Sequence, residues 1–304
     1  MPSDLLKPPA ISVIMPVWNG ETHLREAVES ILAQTFTDFE FIILDDGSTD
    51  GTPAVLAEYA AKDSRIRIIP LDHDGIVLAL NRGVAEARAE WIARMDCDDR
   101  AYPERLARQW DAVRKNPEAV LCHTQLRIVG DPKYVTRAAR FVRTQALIAL
   151  RLCYQCPISH PTVMFHKGTF LKCGKYQPEE RHAEDFGLWG RMILRGDIVG
   201  VPEPMLDFRV HDGSISKQKA ETQQTLSLGI AIRHCAEFMG LNHEGAERAC
   251  KTLRYRSYRT GLRDWFWFLS HCLPKLKWQS LELWIWAIQQ TAKRMLSPPS
   301  APQS

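Results

Sequence analysis

The chain is 304 residues long, 45% hydrophobic and 25% charged, with a formal net charge of +3. Length and composition exclude a disordered or fibrous chain and lead one to expect about one to two packed domains. The charge is unevenly spread: residues 1–99 hold 18 Asp and Glu against 8 Lys and Arg, and the remainder holds 18 against 31, which suggests two regions with different jobs.

The N-terminal stretch "MPSDLLKPPAISVIMPV" lacks a charged segment followed by an apolar run and a small-residue cleavage site, so no secretory signal is read and a cytoplasmic protein is expected. Ile11 to Val17 reads as a strand, and Leu24, Ala27, Val28, Ile31 and Leu32 recur at helical spacing up to about Phe36. Phe39 to Leu44 is a second strand running into "DDGSTDGT", where Thr52 is placed as the cap of a helix with Pro53 at its first position. Arg65 to Leu71 is a third strand, 76–88 a helix and Trp91 to Met95 a fourth strand. Strands alternating with helices predict a mostly parallel sheet covered on both faces, with ligands bound beyond the carboxyl ends of the strands. Beyond residue 100 the pattern loosens to a helix over 104–115, a strand over 119–129, a strand at "HPTVMF" (160–165), an amphipathic helix over 184–195 and a late strand over 205–210. From about 216 onward only helical patterns remain, and the tail 297–304, "SPPSAPQS", is expected to be disordered.

"PVWNG", "DDGS" and "MDCDD" all fall at predicted carboxyl ends, and the last places Asp96, Asp98 and Asp99 within four positions. Hard oxygen ligands suit Mg²⁺ or Mn²⁺, and such a cation would explain why like charges gather there. On an extended segment Asp96 and Asp98 would project to one side; a solvated turn with capping acids is the competing account. The eight cysteines show no framework spacing, so reduced thiols are expected, and "CYQC" at 153–156 has no second half-site to make a zinc or redox centre. Neither a dinucleotide-binding G-x-G-x-x-G nor a Walker loop is present in the sequence.

The ordered set "ISVIMPVWNG", "FIILDDGSTDGT", "ALNRGVAEARAEWIARMDCDD", "HPTVMF" and "AEDFGLWGRM" resembles glycosyltransferase family 2, whose members are inverting sugar-nucleotide transferases with a GT-A fold. The resemblance covers roughly residues 10–215, with a nucleotide-binding part to about 99 and an acceptor part beyond it. It implies that Pro16, Val17 and Asn19 line the nucleotide pocket, that Asp45 or Asp46 contacts the base, and that Asp96 lies near ribose and phosphate. It further implies Asp98 as the metal ligand, Asp185 as the catalytic base, and Glu184 and Trp189 on the acceptor side. Each position also has a plainer role: Asp45 or Asp46 as a helix cap, Asp185 or Glu184 as a first-turn acid stabilised by the helix dipole. Arg94 could touch phosphate or form a structural ion pair, and His211 in "FRVHDGSIS" could approach the metal or diphosphate or be structural. Cys97, where the family commonly has alanine, reads as a packing variant, and Gly187 stands where the family carries a second acid, which puts acceptor contacts in question.

The expected function is transfer of a sugar from a nucleoside diphosphate sugar, a UDP-sugar by preference, to a glycan or lipid-linked acceptor hydroxyl, supported by Mg²⁺ or Mn²⁺. A sugar-phosphate nucleotidyltransferase is the enzyme alternative, although "PVWNGETHL" is not its glycine-rich basic loop, and a non-catalytic sugar-nucleotide-binding scaffold is the alternative from another class. The helical extension over 216–296 is basic and Trp-rich: residues 248–294 carry 10 Lys and Arg against 2 Asp and Glu, with five of the nine tryptophans. That composition fits peripheral contact with the inner face of the cell membrane or a cap packed on the catalytic domain, and fits nucleic acid poorly.

Overall fold

The structure is a computed structural model that describes residues 7–130, 141–211, 220–254, 261–276 and 280–296. The tail expected to be disordered, 297–304, lies outside the described residues. The chain folds as two compact units, Met1–Phe141 with Ile158–Gln218, and Val142–Pro157 with Lys219–Ser304.

The first unit opens with β1 (Ile11–Val17), α1 (Glu21–Leu32), β2 (Phe39–Asp45), α2 (Thr52–Lys62), β3 (Ile66–Pro70), α3 (Ile76–Glu86) and β4 (Trp91–Arg94). Every residue of β1 and β2 is buried, as expected of parallel strands covered on both faces. The apolar stripe of α1 buries Leu24, Ala27, Val28 and Ile31, spaced by three and four residues. Helix α3 comes so close to the sheet that a Cβ on Gly83 would lie 2.9 Å from Leu44 Cδ2. Gly51, not Thr52, occupies the cap position of α2; the Thr52 hydroxyl instead accepts from the Gly20 N–H at 2.9 Å and ties the turn after β1 to this helix.

The chain continues through β5 (Arg100–Ala101), α4 (Arg105–Arg114) and β6 (Ala119–Gly130), makes α5 (Gln145–Leu152) in the second unit, and returns as β7 (Val163–His166). Helices α6 (Lys167–Lys172) and α7 (Glu184–Met192) and the long strand β8 (Asp197–Val210) complete the first unit. The eight strands form one sheet in the order β3-β2-β1-β4-β7-β6-β8-β5. Most pairings are parallel, as expected, and the sheet is mixed because β7 runs antiparallel to both β4 and β6 and β5 runs antiparallel to β8. β8 begins eight residues before the expected late strand: Pro202 and Pro204 read as a break, yet a register shift between Thr124↔Val201 and Gln125↔Pro204 absorbs them as a bulge.

The second unit is helical, with α5, α8 (Ala220–Met239), α9 (His243–Arg254), α10 (Gly261–Trp267) and α11 (Leu281–Leu296). Phe238, Trp265, Phe268 and Leu273 are buried in it together with Cys153, Cys235, Cys250 and Cys272, all free thiols. Cys153 is fully buried while Cys156 is exposed, and among the described residues no group of cysteines and histidines has metal-ligand spacing.

Candidate active site

The carboxyl ends of β1, β2 and β4 converge. β1 pairs in parallel with both neighbours, and the turn after it is zipped to the turn after β2. The Asn19 N–H donates to Ser48 Oγ at 2.9 Å, and Asn19 Oδ1 accepts from the Thr49 N–H at 2.8 Å. Asn19, at φ +50°, therefore uses its side chain to shape the loop. Pro16 and Val17 are buried in the strand, with the Val17 carbonyl accepting from the Asp46 N–H at 2.8 Å. The exposed residue at this strand end is Trp18, at 54%, whose ring lies 4.7 Å from that of His73. No periodicity marks Trp18, because it stands outside the buried strand.

Asp45 and Asp46 divide their work. Asp46 accepts from the backbone N–H groups of Asp74 at 2.8 Å and Gly75 at 3.0 Å, holding the turn between β3 and α3. Asp45 Oδ1 accepts from the Ser48 N–H at 3.1 Å. Gly75, at φ +86°, also leaves room for the Arg181 guanidinium, whose Cζ lies 3.4 Å from where a Cβ would stand.

The acidic corner follows β4. Residues 97 and 98 form a turn rather than the extended segment expected, and this turn brings one oxygen from each of Asp96, Asp98 and Asp99 within 4.8 Å of one another. Asp99 is 1% exposed; its Oδ1 accepts from the Arg209 N–H at 2.8 Å while its buried Oδ2 has no hydrogen-bond partner. Burial, reinforced by Asp96 and Asp98, pushes the Asp99 carboxyl well above the usual carboxylate range, and burial likewise raises Asp96 against the pull of Arg94.

Two buried guanidiniums offset the repulsion. Arg94, 3% exposed, forms an ion pair with Asp96. Arg105, fully buried, donates to the Arg94 carbonyl at 2.6 Å, and burial lowers it to about 10. Arg105 was not singled out in the sequence because it lies in α4, whose pattern shows amphipathicity and nothing of the sheet beneath it.

His211 is hydrogen-bonded through Nε2 to Asp98 Oδ2 at 3.0 Å, and the His23 ring on α1 stands 5.5 Å from it. Arg209 donates from Nε to the Asp98 carbonyl at 3.0 Å. Two-residue strand periodicity links Arg209 to His211 and could have found it; His23 carries no such signal. Cys97 packs beside Gly20, and burial together with the neighbouring carboxylates raises its thiol pKa, in keeping with a packing role.

Asp185 lies in the first turn of α7. Burial, then the Glu184 charge, raises it to about 7. Glu184 accepts from the His182 N–H at 2.6 Å and is itself raised by burial. Arg94 acts electrostatically on both Asp96 and Asp185, and Tyr176 feels all three, so the corner and Asp185 share one field. Trp189 is fully buried, with its ring 6.3 Å from the Phe165 ring. Gly187 is required by packing: a Cβ there would meet the Glu180 carboxylate, which pairs with Arg191 at 2.9 Å.

A sheet flanked by helices thus carries an acidic corner beyond β4 and a buried carboxylate in the first turn of α7. The family model for glycosyl transferase family 2 matches residues 12–173, more than half of the chain, and the chain belongs to this family. It is 30% identical over 220 residues to the O-antigen biosynthesis glycosyltransferase WbnJ of Escherichia coli, covering 68% of this chain and 82% of that one. It is 29% identical over 214 residues to an uncharacterised glycosyltransferase of Rickettsia felis, covering 70% of this chain and 35% of that one. Among solved structures it is similar to S. aureus TarS 1-349 in complex with UDP-GlcNAc (TM-score 0.64, 18% identity, 93% and 81% of the two chains). It is also similar to the mannosyltransferase PcManGT of Pyrobaculum calidifontis in complex with GDP-Man and Mn²⁺ (TM-score 0.59, 15% identity, 96% and 82%). The fold is GT-A, and the chain is a glycosyltransferase.

Proposed function

We propose that the chain moves a sugar from a nucleoside diphosphate sugar, a UDP-sugar by preference, to an acceptor hydroxyl with inversion at the anomeric carbon. The observation that carries this reading is the acidic corner: three carboxylate oxygens within 4.8 Å, one residue buried with an unpartnered oxygen. That donor set fits a hard divalent cation, Mg²⁺ or Mn²⁺, which Asp98 would hold with Asp96 and Asp99 beside it and His211 orienting Asp98 or joining it. When bound, the cation supplies positive charge for the departing diphosphate.

The chain's own residues do the rest. Asp45, which spends one oxygen on Ser48, is better placed than Asp46 to meet a base N–H or ribose hydroxyl, and Trp18 with His73 offers an aromatic face to the base. Arg94 orients Asp96 towards ribose and phosphate. Asp185 takes the proton of the acceptor oxygen as that oxygen attacks the face opposite the leaving group, and a value near 7 suits it for this work. Glu184, next to it, raises its basicity rather than serving the acceptor directly. Similarity to an O-antigen enzyme favours a surface glycan or its lipid-linked precursor as acceptor.

The test is Asp185→Asn assayed beside Asp98→Ala with UDP-sugars and Mn²⁺. Asp185→Asn should lower transfer by about a thousandfold or more while keeping donor affinity within a few fold, and Asp98→Ala should weaken donor binding itself. Retained transfer in Asp185→Asn overturns the base assignment; donor binding without transfer or hydrolysis in the unsubstituted protein favours the scaffold.

A further inference from the structure

Half of the exposed large hydrophobic residues among those described fall in the second unit: Phe266 on α10, and Trp284, Ile285 and Ile288 on α11. The last three are 42%, 44% and 68% exposed and occupy adjacent positions on one face, spaced by one, three and four residues. The adjoining stripe of α11 holds the helix to its own unit, with Leu283 and Ala287 buried and the Trp265 indole N–H donating to Thr291 Oγ1 at 2.9 Å. The apolar arc of α11 is thus wider than the stripe its own unit buries.

We infer that the Trp284–Ile285–Ile288 face is a docking surface for a bilayer containing anionic lipid. Charge decides the occupant. Residues 248–294 hold 10 Lys and Arg against 2 Asp and Glu, and one of the two acids, Asp264, is already paired with Arg248 at 2.7 Å. A segment of this net charge disfavours a second copy of itself and attracts anionic headgroups, while the exposed apolar side chains enter the acyl boundary. Indole rings partition to that boundary, and five of the chain's nine tryptophans lie between 265 and 286. Among the described residues no helix is long and apolar enough to cross a membrane, so α11 lies along the surface. The inference uses no donor, cation or base, and its failure would leave the transferase reading intact.

The full chain is mixed with vesicles of phosphatidylcholine alone, or with about one-third phosphatidylglycerol, and sedimented at low and high salt. Binding to the anionic vesicles alone, weakened by salt and accompanied by a blue shift of tryptophan emission, is expected. Trp284→Ser with Ile288→Ser should lower the partition by about tenfold or more at an unchanged melting temperature. Leu171→Ser, which removes an equally exposed side chain from the first unit, should leave it unchanged. The proposal is overturned if the unsubstituted chain stays in the supernatant, if the Trp284/Ile288 double variant binds like it, or if the same two substitutions instead dissolve a dimer seen by sedimentation velocity.

Discussion

Asp185 and Glu184 are neighbours on the first turn of α7, and their like charges meet where water is scarce. A carboxylate with a reference pKa of about 3.9 would be a weak base near neutrality; burial and the Glu184 charge move Asp185 to about 7. Because the base must be ionised, transfer should fall as pH drops through that value. Removing the neighbouring charge in Glu184→Gln should lower the Asp185 pKa and carry the acidic limb of the kcat/KM profile to lower pH, with the plateau rate kept within about tenfold. An unmoved limb would assign the titration elsewhere. The acids of this site are legible in the sequence because carboxylates clustered at strand ends need a reason. Trp189 is harder to assign, because indoles serve cores and ligands alike and its spacing with Leu188 and Met192 belongs to a buried face. Trp18 escapes notice since a single exposed residue after a strand has no period.

At the scale of elements, β1, β2 and β3 are stapled at their amino ends by one buried carboxylate. Glu40, 1% exposed, accepts from Ser12 Oγ at 2.7 Å, the Arg88 N–H at 2.7 Å and Arg67 Nη1 at 2.9 Å. Burial works against its ionisation, yet these donors hold its carboxyl below the usual range. Arg67 and Arg88 are partly exposed, so water compensates their loss in part. Glu40→Ala should therefore cost about 2 kcal/mol, a fall of about 4–8 °C in melting temperature. A folded value below the unfolded one means that the ionised carboxylate stabilises the fold above the unfolded pKa and stops doing so as pH falls through the folded value. The gap between the two proteins should narrow in acid, and thermal melts at neutral and acid pH would show it; an equal gap at both would refute the charged staple. Nothing marks Glu40 in "FEFIIL", where an acid between aromatics reads as the exposed side of a strand. Local periodicity makes β1 to β4 visible, whereas the antiparallel β7 and the bulge at Pro202–Pro204 depend on partners far away in sequence.

Taken whole, the uneven charge of the chain has a structural counterpart: the acidic corner belongs to the sheet unit, and the basic, tryptophan-rich segment to the helical one. In the corner Asp96, Asp98 and Asp99 repel one another, and Asp99 is pushed well above the usual carboxylate range by burial and its two neighbours. A ligand pair that binds the folded sheet and not the unfolded chain adds RT ln(1 + [L]/Kd) to stability, about 2.7 kcal/mol at a hundredfold excess over Kd. Mn²⁺ with UDP should therefore raise the melting temperature by about 5–10 °C, a larger shift than either gives alone, because a diphosphate would add oxygen ligands to a cation held by Asp98. Chelation by EDTA should reverse the shift, and Asp98→Ala should abolish it. Trp284→Ser with Ile288→Ser should leave it untouched, because those side chains lie in the helical unit. If UDP alone gives the full shift and EDTA leaves it standing, the carboxylates are not a cation site and the corner needs another explanation.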